Sequence, residues 1–194
     1  MDDTLTVVED MTHWLEVAVV GLNLCPFAKA VLVKKQVRYA VCWSSDPQAW
    51  LAQLREELLL LAQTDPEVVE TTLLMAPRAL PDFLDFNDFL GACDAVLVSL
   101  GLDGTLQIAD FHPRYQFAGT QPDDLENFTN RAPYPTLHLL RERSIERALQ
   151  AYPEADVIYE RNIALLNQRG LQGWQALGVR ARCPVSHDLP KDTS

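Results

Sequence analysis

The sequence predicts a single α/β domain, with α+β as the alternative, built on a small mixed or parallel sheet of three to four strands with packing helices. Short runs rich in β-branched and aromatic residues alternate with longer segments whose apolar residues recur at helical spacing. The chain has 194 residues, of which 48% are hydrophobic, and no internal repeat or linker divides it. We therefore expect one globular domain over residues 1–185 and a disordered tail over 186–194.

The first predicted element is an amphipathic helix within residues 8–22. Its apolar side chains recur at the intervals that give a helix one buried face: Met11, Trp14, Leu15, Ala18 and Leu22. The helix must end by Cys25, because Pro26 disfavours helical geometry at the residue before it. The Cys25 thiol is therefore expected at a bend of the chain.

An alternation of strands and helices follows this bend. Residues 37–43 alternate in polarity and are rich in β-branched and aromatic side chains, which predicts a first strand. Asp46 can then cap a helix whose first residue is Pro47 and which runs to Asp65. Residues 70–76 predict the second strand.

Two more strands are predicted after a third helical segment. Residues 86–100 have apolar side chains at helical spacing, although 95–100 alone would also fit a strand. A turn at 103–104 leads into a third strand over 105–111, and residues 136–141 predict a short fourth strand. The connections between the first three strands are long enough for crossovers in a parallel or mixed sheet.

The remaining sequence predicts two helices and a weakly patterned end. Ser144 can cap a helix that runs to Gln150, and residues 155–168 form another before Gly170. After Gly178 the pattern of apolar residues is weak.

Composition and charge exclude several classes of function. The formal net charge of −11 disfavours a nucleic-acid-binding protein, which normally presents a basic face to the phosphates. No apolar run is long enough to predict a membrane span. The acidic N-terminus does not resemble a secretory signal, so we expect a cytoplasmic protein without nucleic-acid or membrane partners.

One stretch, residues 108–143, is the candidate functional site. It combines aromatic side chains with histidine, asparagine and arginine, which is the mixture of apolar walls and convergent polar groups that a pocket requires. It begins at the end of the third strand, and in a parallel sheet ligands usually bind at the carboxyl ends of the strands. The chain lacks a Gly-rich phosphate loop, G-x-S-x-G and H-E-x-x-H, so the stretch gives a place for the site without naming a reaction.

Two residues are candidates for catalysis. His112 follows a strand and precedes a proline, so a rigid backbone would hold it as an acid or base; the alternative is a histidine that only hydrogen-bonds a backbone carbonyl in the turn. Cys25 would be the nucleophile. The preceding helix directs its C-terminus towards the thiol, which disfavours the thiolate, so His112 would have to activate it. The alternative for Cys25 is an inert, packed thiol.

A metal site is not expected. Cys25, His112 and His138 are acceptable zinc ligands, but no short-range pair of ligands supports such a site. The four cysteines show no C-x-x-C pair and are expected to be free thiols in a reducing compartment. The sequence identifies no cofactor.

The candidate ligand-binding residues are the polar and aromatic side chains of the same stretch: Arg114, Tyr115, Asn127, Asn130, Arg131, Tyr134, His138 and Arg141. Arginine suits bidentate capture of a carboxylate or phosphate, so a small anionic molecule is the expected ligand. The alternatives are that Asn127 and Asn130 satisfy the backbone of a long loop, that His138 is a half-buried structural residue, and that the arginines solvate the surface.

Three motifs resemble a known family. They are GLNLCPFA at 21–28, FHPRYQFAGT at 111–120 and NRAPYPTLHLLRE at 130–142. Together they resemble the bacterial family known as domain of unknown function fourteen-fifteen, and the resemblance covers nearly the whole chain. It implies a single-domain bacterial protein, cytoplasmic, built around these three stretches, and it implies no activity or catalytic residue.

Two hypotheses of function follow from these residues. The first is an enzyme that acts on a small anionic molecule through a Cys/His site. The second is a non-catalytic ligand-binding or protein-interaction domain, in which Tyr115, Phe117 and Tyr134 would form an exposed patch. Burial discriminates between them, because aromatic side chains that line a concave pocket favour the enzyme and aromatic side chains on a flat exposed face favour a partner chain.

Overall fold

A four-stranded mixed sheet forms the centre of the fold in the computed structural model, which describes residues 3–151 and 157–182. The strands are β1 (Val37–Val41), β2 (Thr71–Met75), β3 (Leu106–Phe111) and β4 (Thr136–Arg141). Their spatial order is β1-β2-β4-β3, with β1 parallel to β2 and β4 antiparallel to both β2 and β3. The predicted α/β class, the mixed sheet and the fourth strand are confirmed.

Six α-helices surround the sheet in the part of the chain that the structure describes. They are α1 (Asp3–Trp14), α2 (Ala28–Val33), α3 (Pro47–Gln63), α4 (Phe83–Ser99), α5 (Glu142–Ala151) and α6 (Ile158–Gln175). A π-helical turn, Leu15–Val20, continues α1, and a 3₁₀ turn, Leu125–Asn130, precedes β4. The sequence did not predict α2 or the 3₁₀ turn, which are both short.

The ends of three helices test the predicted caps. The Asp46 carboxylate accepts a hydrogen bond from the Gln48 backbone N–H at 2.9 Å, so the predicted start of α3 is confirmed. The prediction that Ser144 caps a helix is wrong, because α5 already begins at Glu142 and Ser144 lies inside it. Gly170 has φ +67° and ends the regular part of α6, after which helical structure resumes to Gln175.

The two faces of the sheet carry separate hydrophobic clusters. On one face α3 and α4 contribute Trp50 and Phe86, which stack with their ring centroids 6.0 Å apart. On the other face α1 and the π-helical turn pack against β2, with Met11, Trp14 and Ala18 almost completely buried. The apolar stripe predicted for the first helix is therefore the face that it buries.

The carboxyl ends of β1, β2 and β3 lie at the same edge of the sheet. Because β4 is antiparallel to its neighbours, its first residue, Thr136, pairs with both Met75 and Phe111, the last residues of β2 and β3. The stretch singled out in the sequence therefore leaves and re-enters the sheet at this edge.

One prediction concerns residues outside the described part of the chain, and another concerns membrane spans. The predicted tail, 186–194, lies outside the described residues, as does Cys183. Among the described helices, none combines the length and the apolar character needed to cross a bilayer.

Arg141 joins β4 to the end of α3, and we expect Arg141→Met to destabilise the fold. The guanidinium donates hydrogen bonds to the backbone carbonyls of Leu61, Thr64 and Val69 at 2.8, 2.7 and 2.9 Å. Removing this charged donor should lower the free energy of unfolding by about 2–3 kcal/mol, measured by urea denaturation.

Arg147→Met is the matched control, because the Arg147 side chain is 70% exposed and is expected to contribute within about 0.5 kcal/mol. Equal unfolding midpoints for the two variants would contradict the structural role of Arg141.

Candidate functional site

A tight turn at residues 21–25 places Cys25 beside the sheet. A Cβ atom at Gly21 would lie 2.5 Å from the Val17 carbonyl oxygen, so only glycine fits there. Asn23 adopts a left-handed conformation with φ 54°, which asparagine tolerates better than most residues. The turn leaves Cys25 partly exposed, at the bend that the sequence predicts.

Helix α6 is fastened to this turn by two side chains. Arg161 donates a hydrogen bond to the Asn23 carbonyl oxygen at 2.7 Å, and the Asn162 amide N–H donates to the Leu24 carbonyl oxygen at 2.8 Å. These bonds satisfy carbonyls that follow the end of a helical segment and would otherwise need other partners. They also fix the position of α6 relative to the turn.

A cavity of about 480 Å³ lies between the turn, the end of β3 with the 3₁₀ turn, and helices α5 and α6. Its lining is Val19, Leu24, Cys25, Phe111, Phe117, Thr129, Asn130, Leu149, Ile158, Tyr159 and Asn162. No acidic or basic side chain occurs among these described lining residues. The volume falls within the range usual for small-molecule sites, and the wall is mainly apolar with a few polar groups.

Two of the predicted site residues, Cys25 and Asn130, come together in this cavity. The aromatic wall is completed by Phe117, whose ring meets that of Tyr159 edge to face with 6.1 Å between centroids. The Asn130 amide N–H donates to the Asp110 carbonyl oxygen at 3.4 Å, which fastens the 3₁₀ turn to β3.

His112 lies elsewhere and is fully buried. Its Nδ1 accepts a hydrogen bond from the Arg114 backbone N–H at 3.0 Å, so the neutral ring carries its proton on Nε2 and donates it to the Leu80 carbonyl oxygen at 3.1 Å. Its ring packs 5.1 Å from that of Phe86. Burial lowers the pKa of His112 to about 4, so the imidazole is neutral near pH 7.

The structure does not bring His112 and Cys25 together. Phe111 lines the cavity that contains Cys25, whereas His112, the next residue, packs against α4 on the other face of the sheet. His112 is also absent from the described lining of the cavity. Both ring nitrogens are bound by backbone groups, as in the structural alternative considered for this residue.

Asn127 and Arg131 stabilise the loop between β3 and β4. Asn127 is fully buried, and its side-chain oxygen accepts hydrogen bonds from the Phe117 backbone N–H and the Thr120 hydroxyl, each at 2.9 Å. Arg131 donates to the Tyr115 carbonyl oxygen at 3.2 Å, and its guanidinium lies over the Phe128 ring. Their polar groups serve the loop backbone.

Tyr134 and His138 are held inside the protein. Tyr134 is 5% exposed, and its hydroxyl donates to the Asp10 carboxylate at 2.7 Å; burial and this carboxylate raise the pKa of Tyr134. The Thr71 hydroxyl donates to the Leu139 carbonyl oxygen, so it accepts from Nε2 of His138 at 2.7 Å. Burial lowers the pKa of His138 to about 4.

The remaining two candidates, Arg114 and Tyr115, are not part of the described lining of the cavity. Arg114 is exposed. Tyr115 is partly buried against Phe83, and its hydroxyl interacts with the side chains of Asp110 and Asn130. Burial raises the pKa of Tyr115 to about 12 and also raises the pKa of Asp110, so the phenol stays protonated near pH 7.

Several lining residues were not predicted from the sequence. Leu149, Ile158, Tyr159 and Asn162 come from α5 and α6, which follow the motif-rich stretch. Their local pattern is that of ordinary amphipathic helices, so no signal in the sequence singled them out. No group of three or more histidine, cysteine, aspartate or glutamate side chains in the described residues is arranged to hold a metal ion.

Comparison with known families matches most of the chain. The model of a family described as "Protein of unknown function (DUF1415)" matches residues 6–176, which include all three motifs. Comparison with curated proteins and with solved structures gives no match.

Acidification should destabilise the protein between pH 7 and 5, and His112 should account for part of this. Its pKa is about 4 in the folded state and 6.5 otherwise, so below pH 6.5 the unfolded chain binds the extra proton. The free energy of unfolding should therefore decrease as the pH decreases, by at most about 1.4 kcal/mol per pH unit for one histidine. Urea denaturation of wild type and His112→Gln at pH 5, 6 and 7 should give a smaller slope for the variant; equal slopes would contradict a buried neutral imidazole.

Cys25 should be the reactive thiol of the described residues. Cys42 and Cys93 are 3% and 0% exposed, and burial together with nearby carboxylates raises the pKa of Cys93 to about 12. In a Cys183→Ser background, Ellman's reagent should modify one thiol in the native protein, and Cys25→Ser should remove this fast phase. Persistence of the fast phase in Cys25→Ser would show that another thiol is accessible.

Proposed function

The chain belongs to the DUF1415 family, and we propose that this member binds a small, mainly apolar molecule in the cavity between residues 21–25, the end of β3, and helices α5 and α6. The observation that carries this proposal is the partly open, concave volume of about 480 Å³ with an apolar wall and few polar groups. The cavity uses all three motifs of the sequence analysis, the first through Leu24 and Cys25, the second through Phe111 and Phe117, and the third through Asn130.

Binding without chemistry is favoured over catalysis by the positions of the two candidate catalytic residues. A nucleophilic thiol needs a base within hydrogen-bond reach, and His112 is engaged by Leu80 and Arg114 on the other face of the sheet. Catalysis by Cys25 with His112 stays a prediction from the sequence that the geometry does not favour.

A neutral ligand is favoured over the anionic molecule expected from the arginines. Arg131 and Arg141 donate to backbone carbonyls, and Arg114 lies outside the cavity. An unpaired charge transferred into a mainly apolar cavity would lose its hydration without compensation. The described lining offers no opposite charge to replace that hydration.

The burial of the aromatic side chains supports a small ligand over a partner chain. Tyr134 is 5% exposed and Tyr115 is partly buried, so they do not form the exposed patch that a protein-interaction surface requires. Phe117 forms part of the concave wall instead.

Leu149→Glu should weaken binding of an apolar probe. N-phenyl-1-naphthylamine fluoresces more strongly in apolar surroundings, so a titration gives its dissociation constant with the wild-type protein. Leu149 lines the cavity but is 48% exposed, so a glutamate there should place a charge at the wall without unfolding the protein. We expect the dissociation constant to rise about tenfold, which corresponds to about 1.4 kcal/mol.

Leu171→Glu is the matched control, because Leu171 is also a helical leucine, 50% exposed, and lies outside the described lining. It should leave the dissociation constant unchanged. Saturable binding that both variants weaken equally, or no saturable binding to the wild type, would overturn the proposed site.

A further inference from the structure

Asn162 lines the cavity and carries a buried acceptor without a partner in the described part of the chain. The residue is 6% exposed and lines the cavity, and its Oδ1 atom has no hydrogen-bond partner among the described residues. The orientation of the amide is fixed, because its nitrogen donates to the Leu24 carbonyl oxygen, which can only accept. Oδ1 is therefore the end of the amide that is left for another group.

Buried polar groups in folded proteins are nearly always hydrogen-bonded, and an exception calls for an explanation. A bare acceptor in apolar surroundings is unfavourable, and a donor on a bound molecule removes that cost on binding. A site with such a polar group discriminates strongly against analogues that lack the matching donor.

Two other polar side chains of the lining, Thr129 and Asn130, donate to backbone carbonyls. The Thr129 hydroxyl donates to the Glu126 carbonyl oxygen at 2.8 Å, and the Asn130 amide N–H donates to the Asp110 carbonyl oxygen. Among the described lining residues, Asn162 is the one whose side-chain oxygen is both buried and without a hydrogen-bond partner.

We propose that the cavity selects neutral, mainly apolar molecules that carry an N–H or O–H donor, which Asn162 Oδ1 accepts. This inference rests on the proposed function and adds the chemical class of the ligand. It makes Asn162 the residue that determines specificity, and it assigns the apolar walls to affinity.

The test compares three probes of nearly the same shape. N-phenyl-1-naphthylamine has an N–H between its two ring systems, 1-benzylnaphthalene has a CH₂ there, and 1-phenoxynaphthalene has an ether oxygen. Displacement of the fluorescent amine gives the dissociation constants of the other two. In the wild type the amine should bind at least fivefold more tightly than the CH₂ analogue, and the ether should bind most weakly because its oxygen faces Oδ1.

Substitution at residue 162 then identifies the acceptor. Asn162→Leu should reduce the preference for the amine over the CH₂ analogue to less than twofold. Arg161→Met is the matched control, because Arg161 also fastens α6 to the turn through Asn23 but is not part of the described lining. This variant should keep the wild-type preference even if it weakens all three probes.

The outcomes separate the two proposals. If no probe binds saturably, the proposed function fails. A second outcome is that all three probes bind, that Leu149→Glu weakens their binding, and that the wild type binds amine, CH₂ analogue and ether equally well. In that case the cavity binds apolar molecules, but the role of Asn162 is overturned. Should Asn162→Leu not fold, the ranking of the three probes by the wild type decides the question, because hydrophobicity alone would place the ether close to the CH₂ analogue.

Discussion

The position of β4 between β2 and β3 is the constraint on which the rest of the structure depends. β4 is the last of the four described strands in sequence, yet it pairs along both of its sides and is antiparallel to both neighbours. The chain that leaves β3 at Phe111 must therefore return to the same edge of the sheet to begin β4 at Thr136. Residues 112–135 consequently form a compact connection on that edge instead of a crossover.

The buried polar side chains of this connection hold it in place. His112 binds Leu80 and the Arg114 backbone, and Asn127 binds three groups of its own loop. A long loop that packs against the core needs such partners for its backbone. The density of polar and aromatic residues that marks a site in the sequence therefore comes largely from the stabilisation of the loop. The cavity lies beside the loop, where the loop meets the turn at residues 21–25 and α6.

Much of the fold could be predicted because its signals are local. The pair Asp46-Pro47 predicts the start of α3, and alternation predicts β4 at the residues where it occurs. The partners of a strand are not local, so the insertion of β4 between β2 and β3 could not be read from its pattern. The same applies to the cavity: Cys25 and Asn130 belong to motifs and were found, whereas Asn162 comes from an ordinary amphipathic helix and acquires its position only through tertiary packing.

The late arrival of the central strand has a consequence for synthesis on the ribosome. When residues 1–135 have emerged, the parallel pair β1–β2 can form, but β2 and β3 each still lack the neighbour that β4 provides. All five residues of β2 are buried in the complete fold, and Leu73 and Leu74 face opposite sides of the sheet, so the open edge at that stage belongs to a strand with apolar side chains on both faces. Such an edge is a template for pairing with another chain, and contacts between strands distant in sequence form slowly. A nascent chain that stalls before β4 would therefore be prone to aggregation.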